Sequence, residues 1–173
     1  HKTLVPHMRK IKIFIASSSE LKLERLEFVD MIQQFNDILE HRGMQIKPIK
    51  WEHLDASMGV ERKQDEYNKE LRQCEICLIL YWKTFGKYTT EEFNTAYQGL
   101  REGNNPQKIY VYFKEASEIS KELRSFRDSF PTRYGHFYCT FDNVDTMRLH
   151  FLLQLEAYLC TDEDDKLIEV NKD

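Results

Sequence analysis

Short strand-like runs alternate with helix-like ones along this chain, and that alternation narrows the fold more than any other feature. Lys10–Ala16 (KIKIFIA), Gln45–Trp51, Cys74–Trp82 (CEICLILYW), Lys108–Phe113 (KIYVYF) and His136–Phe141 are rich in β-branched and aromatic residues and read as strands. Between them apolar residues recur at helical spacing. Glu20–Glu40 carries Leu26, Val29, Phe35, Ile38 and Leu39, and Gly43 fits just past its end. Val60, Gln64, Tyr67 and Leu71 share one side of a second helix. A third starts at Thr89 or Thr90 with Phe93, Ala96, Tyr97 and Leu100, and stops at Gly103-Asn104-Asn105-Pro106. Ile119, Leu123, Phe126 and Phe130 predict a fourth, ending before Pro131. Asn143–Cys160, with Val144, Met147, Phe151, Leu155 and Leu159, predicts the last. Strands alternating with helices build a mainly parallel sheet through right-handed crossovers. The expected fold is therefore α/β, a flavodoxin-like three-layer sandwich around five strands in the order 2-1-3-4-5. Cys74–Trp82, the most apolar run, belongs at its centre, and Pro48 puts the second strand on an edge.

The 173 residues suit one domain. We read residues 1–7 (HKTLVPH) as an added leader before a native start at Met8, 8–160 as the domain, and 161–173 as an acidic linker or tail. A net charge of −4 gives no general attraction to nucleic acid or anionic membrane. No run of about 18 apolar residues is present, so no spanning helix is expected, and with no secretory signal visible the expected location is cytoplasmic. Cys74-x-x-Cys77 lacks a second Cys or His pair at zinc spacing, and it opens an apolar run where thiols pack as small hydrophobes; no metal is expected there.

In open parallel sheets, ligands bind beyond the carboxyl ends of the strands where the strand order reverses, here between strands one and three. That points to the loops Ser17–Glu20, Glu52–Gly59 and Lys83–Glu92. G-x-G-x-x-G and Walker A fingerprints are both absent. Ala16 and Ser17 stand where a receiver domain needs acidic metal ligands. Ser17, Ser18 and Ser19 offer hydroxyls and helix-start N–H groups to phosphates, or simply cap the helix. Glu92 lies four residues before Ala96 on the buried side of its helix, in the expected first turn, so its carboxylate can face the cleft. Thr89-x-x-Glu92 is also a capping box, and both roles can coexist. His53 is a loop residue, and His136 and His150 lack a neighbouring nucleophile in the sequence. Glu61–Glu70 reads as a solvated helix face.

Three segments carry a family resemblance: KIFIASSSELKLER at Lys12–Arg25, KWEHLDA at Lys50–Ala56 and RQCEICLILYWKTFGKYTTEEFNTAY at Arg72–Tyr97. With GHFYCTFDNVD at Gly135–Asp145 they resemble bacterial TIR-like domains of antiphage and signalling proteins, implying the TIR-like version of the sandwich above. Enzymatic members carry a glutamate after strand three in a W-x-x-x-E pattern; the matching stretch here is Tyr88-x-x-x-Glu92, with Glu91 an adjacent rival pointing about 100° away around the helix. The resemblance implies an NAD⁺ glycohydrolase that cleaves the nicotinamide–ribose bond, with Glu92 stabilising an oxocarbenium-like ribose. NAD⁺ is then the substrate, and no cofactor or metal is required. Ser17 and Ser18 would contact the nucleotide, and Trp51, Trp82, Phe85 and Tyr88 are the candidate stacking rings. It further implies activation by homotypic TIR–TIR assembly, with the loop after strand two contributing, and a sensor or nucleotide-switch domain beyond the acidic end. Two other functions stay open: a non-enzymatic interaction module, and a nucleoside N-glycosidase or deoxyribosyltransferase-like enzyme.

Overall fold

The structure, a computed structural model, describes residues 8–49, 60–85, 87–134 and 138–170, without the side chains of 19, 60–63, 87, 88 and 161–170. Five strands form one parallel sheet: β1 (Arg9–Ser17), β2 (Met44–Ile49), β3 (Ile76–Tyr81), β4 (Lys108–Lys114) and β5 (Cys139–Phe141). Their order is β2-β1-β3-β4-β5, as the alternation predicts. The helices are α1 (Lys22–Leu39), α2 (Val60–Leu71), α3 (Lys87–Arg101), α4 (Lys121–Tyr134) and α5 (Val144–Val170).

Each element follows from its residues. Every residue of β3 is buried, because helices cover both faces of a central parallel strand. β2 takes the edge, with Pro48 opposite Ile13. There Asn36 of α1 reaches over and exchanges both bonds with Ile46, accepting from its N–H at 2.7 Å and donating to its carbonyl at 2.8 Å. This closes part of an otherwise open strand edge. Gly43 ends the first helical region at φ 73°, a conformation costly for any residue with a Cβ. Ser120 and Asn143 cap α4 and α5 by accepting from the N–H groups of Leu123 and Thr146.

Two apolar layers sandwich the sheet. Ile11, Ile13, Ile15, Leu78 and Leu80 face α1 and α5, against Phe28, Ile32, Phe151 and Leu155. Phe14, Ala16, Cys77, Ile79, Tyr81 and Phe113 face the other way, toward α2, α3 and α4. That second layer is unusually aromatic, with Phe126 at its centre, 4.9–6.2 Å from the rings of Phe85, Phe93, Tyr81, Phe130, Tyr134 and Phe113.

Some expected boundaries move. α4 runs through Pro131 to Tyr134. A proline in a last turn removes one helical hydrogen bond, and the buried rings of Phe130 and Tyr134 on either side hold the turn in place. α5 continues past its expected end at Cys160 to Val170, with no Gly or Pro in 144–170 to stop it. α3 begins at Lys87, ahead of the expected threonines. No helix among the described residues is long and apolar enough to cross a membrane.

Candidate functional site

The strand order reverses between β1 and β3, the place where open parallel sheets form their binding crevice, and α2 and α3 pack on that side of the sheet. Glu92 sits there in the second turn of α3, fully buried, pointing inward toward the sheet. Neither carboxylate oxygen has a hydrogen-bond partner among the described residues. The capping-box role therefore falls away: α3 starts two residues before Thr89, so Thr89 is a buried helical residue and not the cap.

Glu92 has chemically varied neighbours. From α2 come Gln64 and Tyr67, both buried; from β3, Cys77 and Tyr81; from α1, Arg25. Burial holds the Glu92 carboxyl well above the usual carboxylate range, the Arg25 charge and the Gln64 amide draw it partly back, and the Glu91 charge adds a further push upward. Burial, then the Glu92 charge, raise the Tyr67 and Tyr81 hydroxyls and the Cys77 thiol in turn. The Tyr81 hydroxyl, like the carboxylate, is buried with no partner among the described residues. Buried polar groups without partners are rare in native folds, and they mark a place prepared for something else to bond.

Arg25 is the residue that sequence reading missed. Its Nη1 donates to the Ser17 hydroxyl at 2.6 Å and to the carbonyls of Ser17 and Ser18 at 3.2 and 3.1 Å. An arginine eight residues past the end of β1 gives no local signal; only the return of α1 over the sheet brings it to the strand end. The serines are accordingly occupied. Ser17 Oγ bonds Ser18 O and Arg25, and Ser18 Oγ donates to Glu20 at 3.2 Å. They do not cap α1 either, because a turn of 3-10 helix at Ser19–Leu21 comes first and α1 has no side-chain cap.

Glu91, the adjacent rival, is tied aside: Asn68 donates to it at 3.2 Å and Gln64 donates to Asn68 at 3.1 Å. Trp82 is on the wrong side of the sheet. Side chains alternate along a strand, so Tyr81 faces the Glu92 layer and Trp82 the α1–α5 layer. Its ring there lies 4.2 Å from the Lys83 ammonium and 4.1 Å from that of Lys114. Phe85 is on the Glu92 side, packed against Tyr81 and Phe126. Trp51, His53 and their loop, His136 and the Tyr88 side chain lie outside the described residues. A cavity of about 480 Å³ lies elsewhere, lined by Tyr97, Tyr110, Phe130 and Gln154 along the amino-terminal half of β4. Phe93, next to Glu92 in the chain, lines it, but Arg25, Gln64, Tyr67, Cys77 and Tyr81 do not.

Among the described residues no group of three His, Cys, Asp or Glu side chains could hold a metal. Cys74 and Cys77 are buried and reduced; Cys74 donates to the Glu70 carbonyl at 3.3 Å. Chemically, the surroundings of Glu92 offer one buried carboxyl, one guanidinium, two phenols, a thiol and an amide. That set suits a neutral or cationic reacting centre surrounded by hydroxyls.

A family model described as a domain of unknown function, DUF4062, matches residues 12–155. No curated protein matches. Nine chains of solved structures match. One is the Clostridium botulinum CMP N-glycosidase BcmB, 15% identical, with a TM-score of 0.52, covering 83% of this chain and 98% of that one. At that identity the likeness is one of fold.

Proposed function

We propose, for a chain that belongs to the DUF4062 family, an N-glycosidase activity in which Glu92 serves cleavage of the bond between a sugar and a nitrogen base in a nucleotide. The observation that carries the reading is the Glu92 carboxyl itself: buried, with neither oxygen at hydrogen-bond distance from a partner among the described residues, and at the strand-order reversal. The likeness to a CMP N-glycosidase supports the same class of substrate.

The chemistry follows from the raised carboxyl. Burial makes the Glu92 carboxyl hold its proton to higher pH than an ordinary carboxyl, the direction of shift a general acid needs. As the C1′–N bond lengthens, Glu92 gives its proton to the leaving base, which departs neutral. The carboxylate left behind faces the ribosyl cation and stabilises it. Water adds at C1′ and returns a proton to Glu92, so the sum is nucleotide plus water to free base plus sugar phosphate. Arg25 lowers the cost of the ionised stage, since its charge favours the carboxylate. The Tyr81 hydroxyl is a donor held ready for a sugar oxygen or for that carboxylate.

This mechanism ranks substrates. Pyrimidine and purine bases need a proton to leave; nicotinamide leaves NAD⁺ as a neutral base without one. Burial shifts the Glu92 carboxyl toward its protonated form, and that direction favours a nucleoside monophosphate over the NAD⁺ implied by the TIR-like resemblance. The test is incubation of concentrated protein with CMP, other nucleoside monophosphates and NAD⁺, with free base followed by chromatography. Base release from a monophosphate, abolished in Glu92→Gln, is the expected result. Nicotinamide release with monophosphates untouched would restore the NAD⁺ reading. No base from any of them, or an unaffected Glu92→Gln, would leave an interaction module.

A further inference from the structure

A second chemical cluster lies on the opposite face of the sheet from Glu92. Cys139 opens β5 directly beside Tyr112 of β4, and His150 comes down on both from the second turn of α5. The Tyr112 hydroxyl is 2.8 Å from His150 Nδ1, and Cys139 Sγ is 3.5 Å from His150 Nε2. The imidazole thus bridges a phenol and a thiol through its two nitrogens. The sequence places no nucleophile beside His150, and the fold supplies one: eleven residues separate the two in the chain, and the β5–α5 turn brings them together.

The arrangement is that of an activated nucleophile: thiol, base, and a third group orienting the base. With Nδ1–H donating to the Tyr112 oxygen, Nε2 presents its lone pair to the Cys139 S–H. Once the proton has moved, the imidazolium donates to both neighbours. The other cysteines lack this. Cys74 and Cys77 are buried, and burial pushes the Cys74 thiol up to about 12 and Cys77 well above its ordinary value. Cys160 donates to the Glu156 carboxylate at 3.2 Å, and that hydrogen bond raises its thiol. Cys139 is part-exposed; partial burial raises it too, so it rests as the thiol and its attack requires a base in place.

We infer that Cys139 is a modification site for low-molecular-weight disulfides, with His150 as its base and Tyr112 as the residue that positions the imidazole. Cys139 passes its proton to His150 Nε2 while Sγ attacks one sulfur of the disulfide. A new S–S bond forms to Cys139, the old one breaks with its electron pair on the departing sulfur, and His150 hands that sulfur the proton. Cys139 ends oxidised as a mixed disulfide, and the disulfide's other half leaves reduced as a thiol. The cluster is separated from Glu92 by the sheet, so this holds whether or not Glu92 cleaves nucleotides.

The experiment reads each cysteine by peptide mass spectrometry after timed exposure of the full chain to oxidised glutathione at neutral pH. Urea-unfolded chain serves as the reference for unassisted thiols. Folded Cys139 is expected to react at least as fast as in the unfolded chain, ahead of Cys160, with Cys74 and Cys77 protected. His150→Asn, which keeps a polar partner for Tyr112 but no base, is expected to slow Cys139 by about tenfold or more and leave Cys160 unchanged. Protection of Cys139 relative to the unfolded chain, or an unchanged rate in His150→Asn, overturns the inference. Should that variant open the fold, reaction at Cys74 and Cys77 reveals it and Tyr112→Phe decides: slower Cys139 supports the positioning role, and an unchanged rate refutes it.

Discussion

Replacing Glu92 by glutamine removes one ionisable group from the crevice while keeping its shape, and the effect on stability has a definite sign. In the folded chain the carboxyl is buried and held well above its ordinary value of 4.5, by burial first, against the opposing pull of Arg25 and Gln64. In the unfolded chain it loses its proton near that ordinary value. Between the two, the unfolded state binds fewer protons than the folded state, so the wild-type chain loses stability as pH rises. That contribution is complete below the unfolded value and is lost progressively until the folded value is reached. The slope is about 1.4 kcal/mol per pH unit. For a chain of this size that corresponds to roughly 3–6 °C of melting temperature per unit. Glutamine titrates nothing, so Glu92→Gln follows the remaining groups alone. The quantity to measure is the difference between variant and wild type, from urea melts followed by circular dichroism at pH 5, 6 and 7. A constant offset from the glutamine amide, about 1–3 kcal/mol if its donors stay unpaired, drops out of that comparison. The difference should move in favour of Glu92→Gln at each step up in pH, while base release is lost. A difference that stays flat from pH 5 to 7 would refute the reasoning, because it would mean the folded carboxyl ionises as it does in water.

Arg25→Met removes the donor that holds the end of β1 and the charge that draws Glu92 down. It should cost about 1–3 kcal/mol in urea melts and extend the pH window of the Glu92 effect upward. Gly99→Ala should destabilise by about 1–3 kcal/mol, because a Cβ there would lie 2.2 Å from the Asn105 carbonyl oxygen, a backbone atom that has little room to retreat. Phe126→Ala empties the middle of the aromatic layer and should cost about 3–5 kcal/mol by the same assay, with a smaller loss for Phe126→Leu.

The order of elements, the parallel sheet, the edge position of β2 and the central position of β3 were legible in the residues, because each rests on a periodicity or a turn signal that spans only a few positions. Tyr67 and Leu71, or Phe93 and Ala96, declare a buried helix face whatever lies beneath it. Glu92 was legible for the same reason: its spacing from Ala96 places it on the inward side of α3. What that carboxyl meets there was not. Arg25, Tyr67 and Tyr81 interact with it electrostatically from three different elements, and their convergence depends on crossover handedness and helix packing, which no local pattern records. The same holds for Ser17 and Ser18, whose hydroxyls go to Arg25 and Glu20 and not to a helix end, and for Trp82, which alternation assigns to the opposite face from Tyr81 without saying which face lies under α3. Cys139 and His150 make the point most plainly. Period and composition are properties of neighbours in the chain, whereas a proton moves between neighbours in space, and only the packing of α5 against the sheet decides which those are.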